Sequence, residues 1–202
     1  MTQNERASLT QELPTPLPLD LQFGTDAPLD LPAELGPWIF GDVETRVGHT
    51  RTFAVLDAAK VEGLREQLDA SSLTHKCLFQ GAAEEELGEV APWLVELQPG
   101  NTFTRNLFTK HPDAATSWHL WDSDAAVFLR SSSDLQAVRK HLRRFTRAQD
   151  RAGKWYFVRF YDPAVLPGFI KSLPDEKRTE FFGPIDAWIA PGARHWLRLA
   201  KA

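Results

Sequence analysis

From about residue 38 onward the chain alternates short apolar runs with stretches in which apolar residues recur every three or four positions. The runs, partly β-branched, predict buried strands, and the wider spacing predicts helices with one apolar stripe. Thr52–Ala58 (TFAVLDA) is the first such strand, followed by a helix carrying Val61, Leu64 and Leu68. Thr74–Gln80 (THKCLFQ) and Trp93–Leu97 (WLVEL) predict the next two strands, on either side of a short acidic helix at Ala82–Val90. Asn101–Lys110 predicts a helix with Phe103 and Leu107 on one side, and Ala125–Arg130 (AAVFLR) a fourth strand. Ser133 and Asp134 suit the cap of a helix whose residues Leu135, Val138, Leu142 and Phe145 form one stripe. Lys154–Tyr161 (KWYFVRFY) predicts a fifth strand, Asp162-Pro163 a helix start, and Pro167 a kink or delay in that helix. A further helix from about Pro174 is expected to stop at Phe181-Phe182-Gly183-Pro184, ahead of a sixth strand at Ile185–Ile189 (IDAWI).

This rhythm predicts an α/β fold: a central sheet of about five to six strands, mixed or largely parallel, flanked by helices. Before it, residues 1–37 hold six of the 14 prolines, and Leu13–Leu19 (LPTPLPL) lacks a backbone donor at alternate positions, which forbids helix or inner strand. An extended Pro-rich arm is the expectation, either docked through its leucines and Phe23 or free in solvent. The predicted organisation is an acidic arm at 1–37, an α/β domain at 38–190 and a short tail at 191–202.

Composition narrows the function classes. The 202 residues are 43% hydrophobic and 25% charged, enough to bury a real core. No apolar run approaches the roughly 20 residues that cross a bilayer, and the opening Met1–Arg6 is unlike a secretory signal, so a cytoplasmic location is expected. The single cysteine, Cys77, excludes an internal disulfide. Net charge is −4, but six acidic residues and one basic residue lie in 1–36, leaving 22 basic against 21 acidic in the rest. A body so close to neutral argues against nucleic acid as the main partner.

No complete catalytic or cofactor motif is present. The first strand–helix turn, Asp57-Ala58-Ala59-Lys60, has none of the glycines that let backbone approach a pyrophosphate, and no P-loop or G-x-S-x-G turn occurs. His75 and Cys77, two apart on a predicted strand, are too few ligands for a metal site. His111 and His119 flank Asp113 and Asp122 in HPDAATSWHLWDSD, a set that would serve acid–base chemistry if folded together and is otherwise a polar loop. No cofactor or metal is therefore expected. Arg139, Lys140, Arg143, Arg144 and Arg147 share the polar face of the helix after Asp134. That face suits an acidic protein patch, an anionic surface or nucleic acid, or is simply solvated. Arg159 either pairs internally with an aspartate or makes an exposed contact.

Seven segments, in order over roughly 130 residues, carry a resemblance. They are Ala54–Ala59 (AVLDAA), Cys77–Phe79 (CLF), Ala91–Leu97 (APWLVEL), Val127–Ser131 (VFLRS), His141–Phe145 (HLRRF), Val158–Pro163 (VRFYDP) and Glu180–Pro184 (EFFGP). Together they resemble the type VI secretion effector-adaptor, or chaperone, domain, a family long catalogued as a domain of unknown function. The resemblance implies a non-enzymatic protein that binds a toxic effector and helps load it onto a VgrG-type spike. Larger relatives carry a helical lobe after the α/β domain, whereas this sequence runs 13 residues past its last predicted strand. The α/β body, the arm or the tail Trp196–Leu199 is then expected to supply the contacts, with Arg139, Arg143, Arg144, Arg147, Arg159 and Trp196 as candidate partner-binding residues. The alternatives are a small hydrolase or transferase using His111 and His119, or an anionic-surface or nucleic-acid binder using the Arg139–Arg147 face.

Overall fold

The computed structural model describes residues 10–41, 50–111 and 118–201. Among the described residues nine strands form: β1 (Thr10–Pro14), β2 (Arg51–Asp57), β3 (His75–Cys77), β4 (Pro92–Leu97), β5 (Ala126–Ser131), β6 (Arg147–Gln149), β7 (Trp155–Phe157), β8 (Ile185–Ala190) and β9 (His195–Ala200). Seven of them build one sheet in the order β1-β9-β8-β5-β2-β4-β3, while β6 and β7 stand apart as a two-stranded ribbon. The helices are α1 (Gly36–Ile39), α2 (Leu64–Ser71), α3 (Ala82–Leu87), α4 (Thr102–Asn106), α5 (Leu135–Leu142), α6 (Leu166–Ser172) and α7 (Asp175–Phe182). None is long and apolar enough to cross a membrane.

Every neighbouring pair in the large sheet is antiparallel, which overturns the expectation of five to six mixed or largely parallel strands. The strand–helix rhythm that suggested parallel pairing is real, but the strands it joins are not neighbours. β2 and β3 run the same way with β4 between them, and β4 and β5 run the same way with β2 between them. Each helical crossover thus returns the chain beside a gap that an antiparallel strand fills, as in split βαβ units.

Continuous apolar strands reflect helices on both faces, not strand direction. Ala54, Leu56, Trp93, Val95, Phe128, Ile189 and Trp196 point to one face, where they pack with Ile39 of α1, Leu64 and Leu68 of α2 and Phe103 of α4. Phe53, Val55, Leu94, Val127, Leu129 and Trp188 point to the other, against Leu135, Val138 and Leu142 of α5, Leu166 and Ile170 of α6, and Phe181 and Phe182 of α7. Such alternation follows from the two-residue period of a strand.

Three strands have no counterpart in the expected set: β6, and the two at one edge of the large sheet. β1 pairs with β9 from Thr10↔Leu199 to Pro14↔His195, so residues 10–14 of the proline-rich arm form an edge strand that ends where proline stops the ladder. The segment read as a tail holds β9, which joins β8 through a tight turn. Lys154–Tyr161, read as one strand, is ordered as β only over Trp155–Phe157, and Phe160 and Tyr161 turn inward to bury at 0% and 5% exposure. The cap of α5 follows its expectation: the Asp134 carboxylate accepts from the Ala137 amide at 2.8 Å.

Candidate protein-interaction surface

The basic face expected along Arg139–Arg147 is divided among three tasks. Arg139 turns inward, its Nε donating to the Cys77 carbonyl at 2.7 Å and its Nη2 to the Phe79 carbonyl at 3.1 Å. It ties α5 to the end of the edge strand β3, with Glu84 of α3 3.9 Å away. Arg144 pairs with Glu180 of α7 and lies 5.7 Å from the Phe145 ring. Arg147 belongs to β6 and sits over the Phe157 ring at 4.9 Å, while Lys140 remains exposed and Arg143 half-buried. Trp196, expected to meet a partner, is 3% exposed and stacks on Phe128 and Trp121 inside the core.

Arg147 leads into a feature that the sequence reading hid inside a strand. The β6–β7 ribbon exposes three consecutive aromatic side chains, Trp155 at 62%, Tyr156 at 47% and Phe157 at 51%. Its register pairs Arg147 with Phe157, Ala148 with Tyr156 and Gln149 with Trp155. The tip is fixed locally: the Asp150 carboxylate accepts from the amides of Ala152 at 2.8 Å and Lys154 at 2.9 Å. Those bonds, the Lys154 amide first, pull its pKa below the usual carboxylate range. Phe157 rests against Phe79 at 5.4 Å and the Val158 amide donates to the Thr146 carbonyl, which anchors the ribbon to the body.

An isolated two-stranded hairpin is marginal in water, and exposed aromatics on both of its faces, Trp155 and Phe157 on one and Tyr156 on the other, add to its cost. Aromatic residues and arginine are the side chains enriched at the centres of protein interfaces. Arg147 and Lys154 lie over ribbon aromatics and Arg151 is exposed at the tip, while the ribbon's one acid, Asp150, is occupied by its own turn. The surface is therefore aromatic and positively charged.

Arg159 is an internal partner. It pairs with Asp57 at the end of β2 and reaches Asp162 at 3.5 Å, while Lys60 pairs with Asp162 at 3.2 Å. Burial and the nearby Asp57 charge raise the Tyr161 phenol to about 12, so it stays protonated. This network joins two of the segments quoted above, Ala54–Ala59 and Val158–Pro163. The Asp57 side chain is 2% exposed and that of Arg159 48%. Removing the arginine strands a buried carboxylate, whereas removing the acid leaves a cation that already reaches water. Arg159→Ala should therefore lower stability by about 2 to 3 kcal/mol, more than Asp57→Asn, in urea titrations followed by circular dichroism.

The histidines fall in two places. His111 and His119 come together, rings 5.8 Å apart, beside Asp20 and Arg105 in a shallow cavity of about 440 Å³. Burial, then the neighbouring His111, lowers the His119 pKa. Asp122 does not line that cavity and pairs with Lys110 at 2.9 Å, and Asp113 lies outside the described residues. His75 bonds the Leu73 carbonyl and Asp69, while Cys77 is fully buried with its thiol raised by burial to about 11. Among the described residues no three His, Cys, Asp or Glu side chains gather as a metal site.

The model of a family described as a domain of unknown function, DUF4123, matches residues 52–180, from β2 into α7. The chain belongs to the DUF4123 family. No curated protein and no solved structure matches it. All seven helices except α1 lie wholly or largely within the DUF4123 span, as do the aromatic ribbon and the Asp57–Arg159 pair, whereas β1, β8 and β9 lie outside it. In this DUF4123 protein the family region is thus one part of a larger sheet, completed by strands from both ends of the chain.

Proposed function

We propose that this protein is a non-enzymatic adaptor that captures a partner protein on the β6–β7 ribbon. The observation that carries the reading is the exposed Trp155-Tyr156-Phe157 run set among Arg147, Arg151 and Lys154. A large aromatic surface left in water, with cations whose local acid is already occupied, favours a partner that is apolar at its centre and acidic at its rim. The resemblance of the seven segments to type VI effector adaptors supplies the biological form of the proposal. The partner is a toxic effector, handed on to a VgrG-type spike in the cytoplasm, and the aromatic ribbon is the surface that meets it.

The test is co-expression with the proteins encoded beside it, followed by affinity capture of the full chain and identification of any toxin or spike protein retained. Wild type is expected to retain one of them stoichiometrically. Replacing Trp155 and Tyr156 together by alanine should weaken capture by about 100-fold, since two interface aromatics at about 1.4 kcal/mol each amount to two factors of ten, while leaving the melting temperature within a few degrees. Arg147→Glu with Lys154→Glu should slow association and reduce its salt dependence. Undiminished capture by the double aromatic variant would remove the ribbon from the interface, and failure of the wild type to retain either protein would remove the adaptor reading itself.

A further inference from the structure

Independently of the ribbon, a second site lies where the turn between β8 and β9 meets the chain just before β5. A cavity of about 310 Å³ opens there, walled by Phe128, Trp196, Leu120 and Trp121 and bordered by Asp122 and Asp124. Its aromatic wall is the end of a run of near-parallel rings. Phe108 lies 5.4 Å from Phe128 at 17°, Phe128 lies 5.8 Å from Trp196 at 16°, and Trp196 lies 5.8 Å from Trp121 at 23°. The first three rings are buried, and Trp121, half-buried, is the outermost.

The wall is held in place before any ligand arrives. Thr15, just beyond β1, donates through its hydroxyl to the Gly192 carbonyl at 2.6 Å and through its amide to the Arg194 carbonyl at 2.9 Å, stitching the arm to the β8–β9 turn. The two acids at the rim differ. Asp122 is neutralised by Lys110, at 2.9 Å. Asp124 has no cation or donor on its carboxylate among the described residues, because the one nearby cation, Lys60, bonds its backbone carbonyl at 2.8 Å and pairs with Asp162 instead.

We infer that this cavity is a binding site for an alkylammonium group. The outer face of Trp121, the last ring of the run, and the unneutralised Asp124 carboxylate both favour a cation. An anion would meet the unneutralised Asp124 carboxylate, exposed at the rim, and a neutral apolar guest would leave that carboxylate unpaired. The volume sits at the small end of ligand sites, which suits a compact head group. That group is either carried by a free small molecule or presented by a lysine side chain of another protein, and the chemistry of recognition is the same.

The test uses the full chain labelled with nitrogen-15, following the indole resonances of Trp121 and Trp196 by NMR. Choline represents the free cation, N-acetyl-lysine amide the side chain, and 3,3-dimethylbutanol the uncharged isostere of choline. One of the two cations should shift both indoles with a dissociation constant on the order of 1 mM, and the better of the two identifies the source. Asp124→Asn should weaken that binding about tenfold or more, with no change elsewhere in the spectrum, because asparagine tolerates the φ of 47° found there. Trp121→Ala should abolish it. Equal binding of the uncharged isostere, an unchanged affinity in Asp124→Asn, or no indole shift with either cation would each overturn the inference.

Discussion

Replacing Gly183 by alanine should cost about 3 to 5 kcal/mol of stability, although it adds a single methyl group. Gly183 closes α7 with φ 44° and ψ −112°, a combination that L side chains rarely adopt. A Cβ built there would stand 2.3 Å from Cε1 of His141 and under 3 Å from both ring nitrogens. The ring has little freedom to retreat. His141 is 9% exposed, its Nε2 bonds the Phe181 carbonyl at 2.8 Å, and Phe145 packs on it at 5.1 Å. Burial lowers its pKa despite that carbonyl bond, as a ring enclosed by protein requires. Two penalties therefore add: roughly 1 to 3 kcal/mol for the backbone and a similar amount for the overpacked ring. Urea denaturation separates them. In the Gly183→Ala, His141→Ser double variant the clash disappears and the backbone cost remains, so the two substitutions should be less destabilising together than their sum. Strict additivity would show that the ring is not what the methyl group meets.

That contact also explains two of the segments on which the family resemblance rests, since His141–Phe145 and Glu180–Pro184 meet there. The chain pattern foresaw Gly183 as the end of a helix, but not the ring that requires glycine, because a contact across 42 positions leaves no local periodic trace. The same distinction runs through the fold. β2, β4, β5 and β8 were legible as apolar runs, and α5 as a stripe with its cap, because burial imposes a period on the sequence. Strand direction was not legible, because a strand covered by helices on both faces looks the same whichever way its neighbours run. β1 has Leu13 as its only aliphatic residue facing the core, so its pattern is that of a loop even though β9 pairs with it along its full length. At the candidate surface, composition pointed to the arginines and passed over the aromatics. KWYFVRFY carries both an exposed half, Trp155–Phe157, and a buried half, Phe160 and Tyr161, and nothing in the residue types separates them. Only the turn at Asp150–Lys154, which lifts β7 off the main sheet, does so.

The second large effect is expected at Trp188, in the middle of β8. Its side chain is fully buried, stacked on Phe181 at 5.3 Å and 6° and met edge-on by Phe160 at 6.0 Å. It is the point where α7 and the segment after β7 converge on the sheet. Trp188→Ala should lower stability by about 3 to 5 kcal/mol, by losing the transfer energy of the ring and leaving a cavity that two other aromatics border. The phenylalanine variant tests the cause. The Trp188 indole nitrogen is buried with no hydrogen-bond acceptor among the described residues, a condition that itself costs roughly 1 to 3 kcal/mol. Trp188→Phe removes that donor while retaining most of the packed ring, so the lost volume and the relieved donor oppose each other, and the net change should stay within about 1.5 kcal/mol. A loss in Trp188→Phe approaching that of the alanine variant would mean that the indole nitrogen does have a partner in solution, and would place a bound water in this layer of the core.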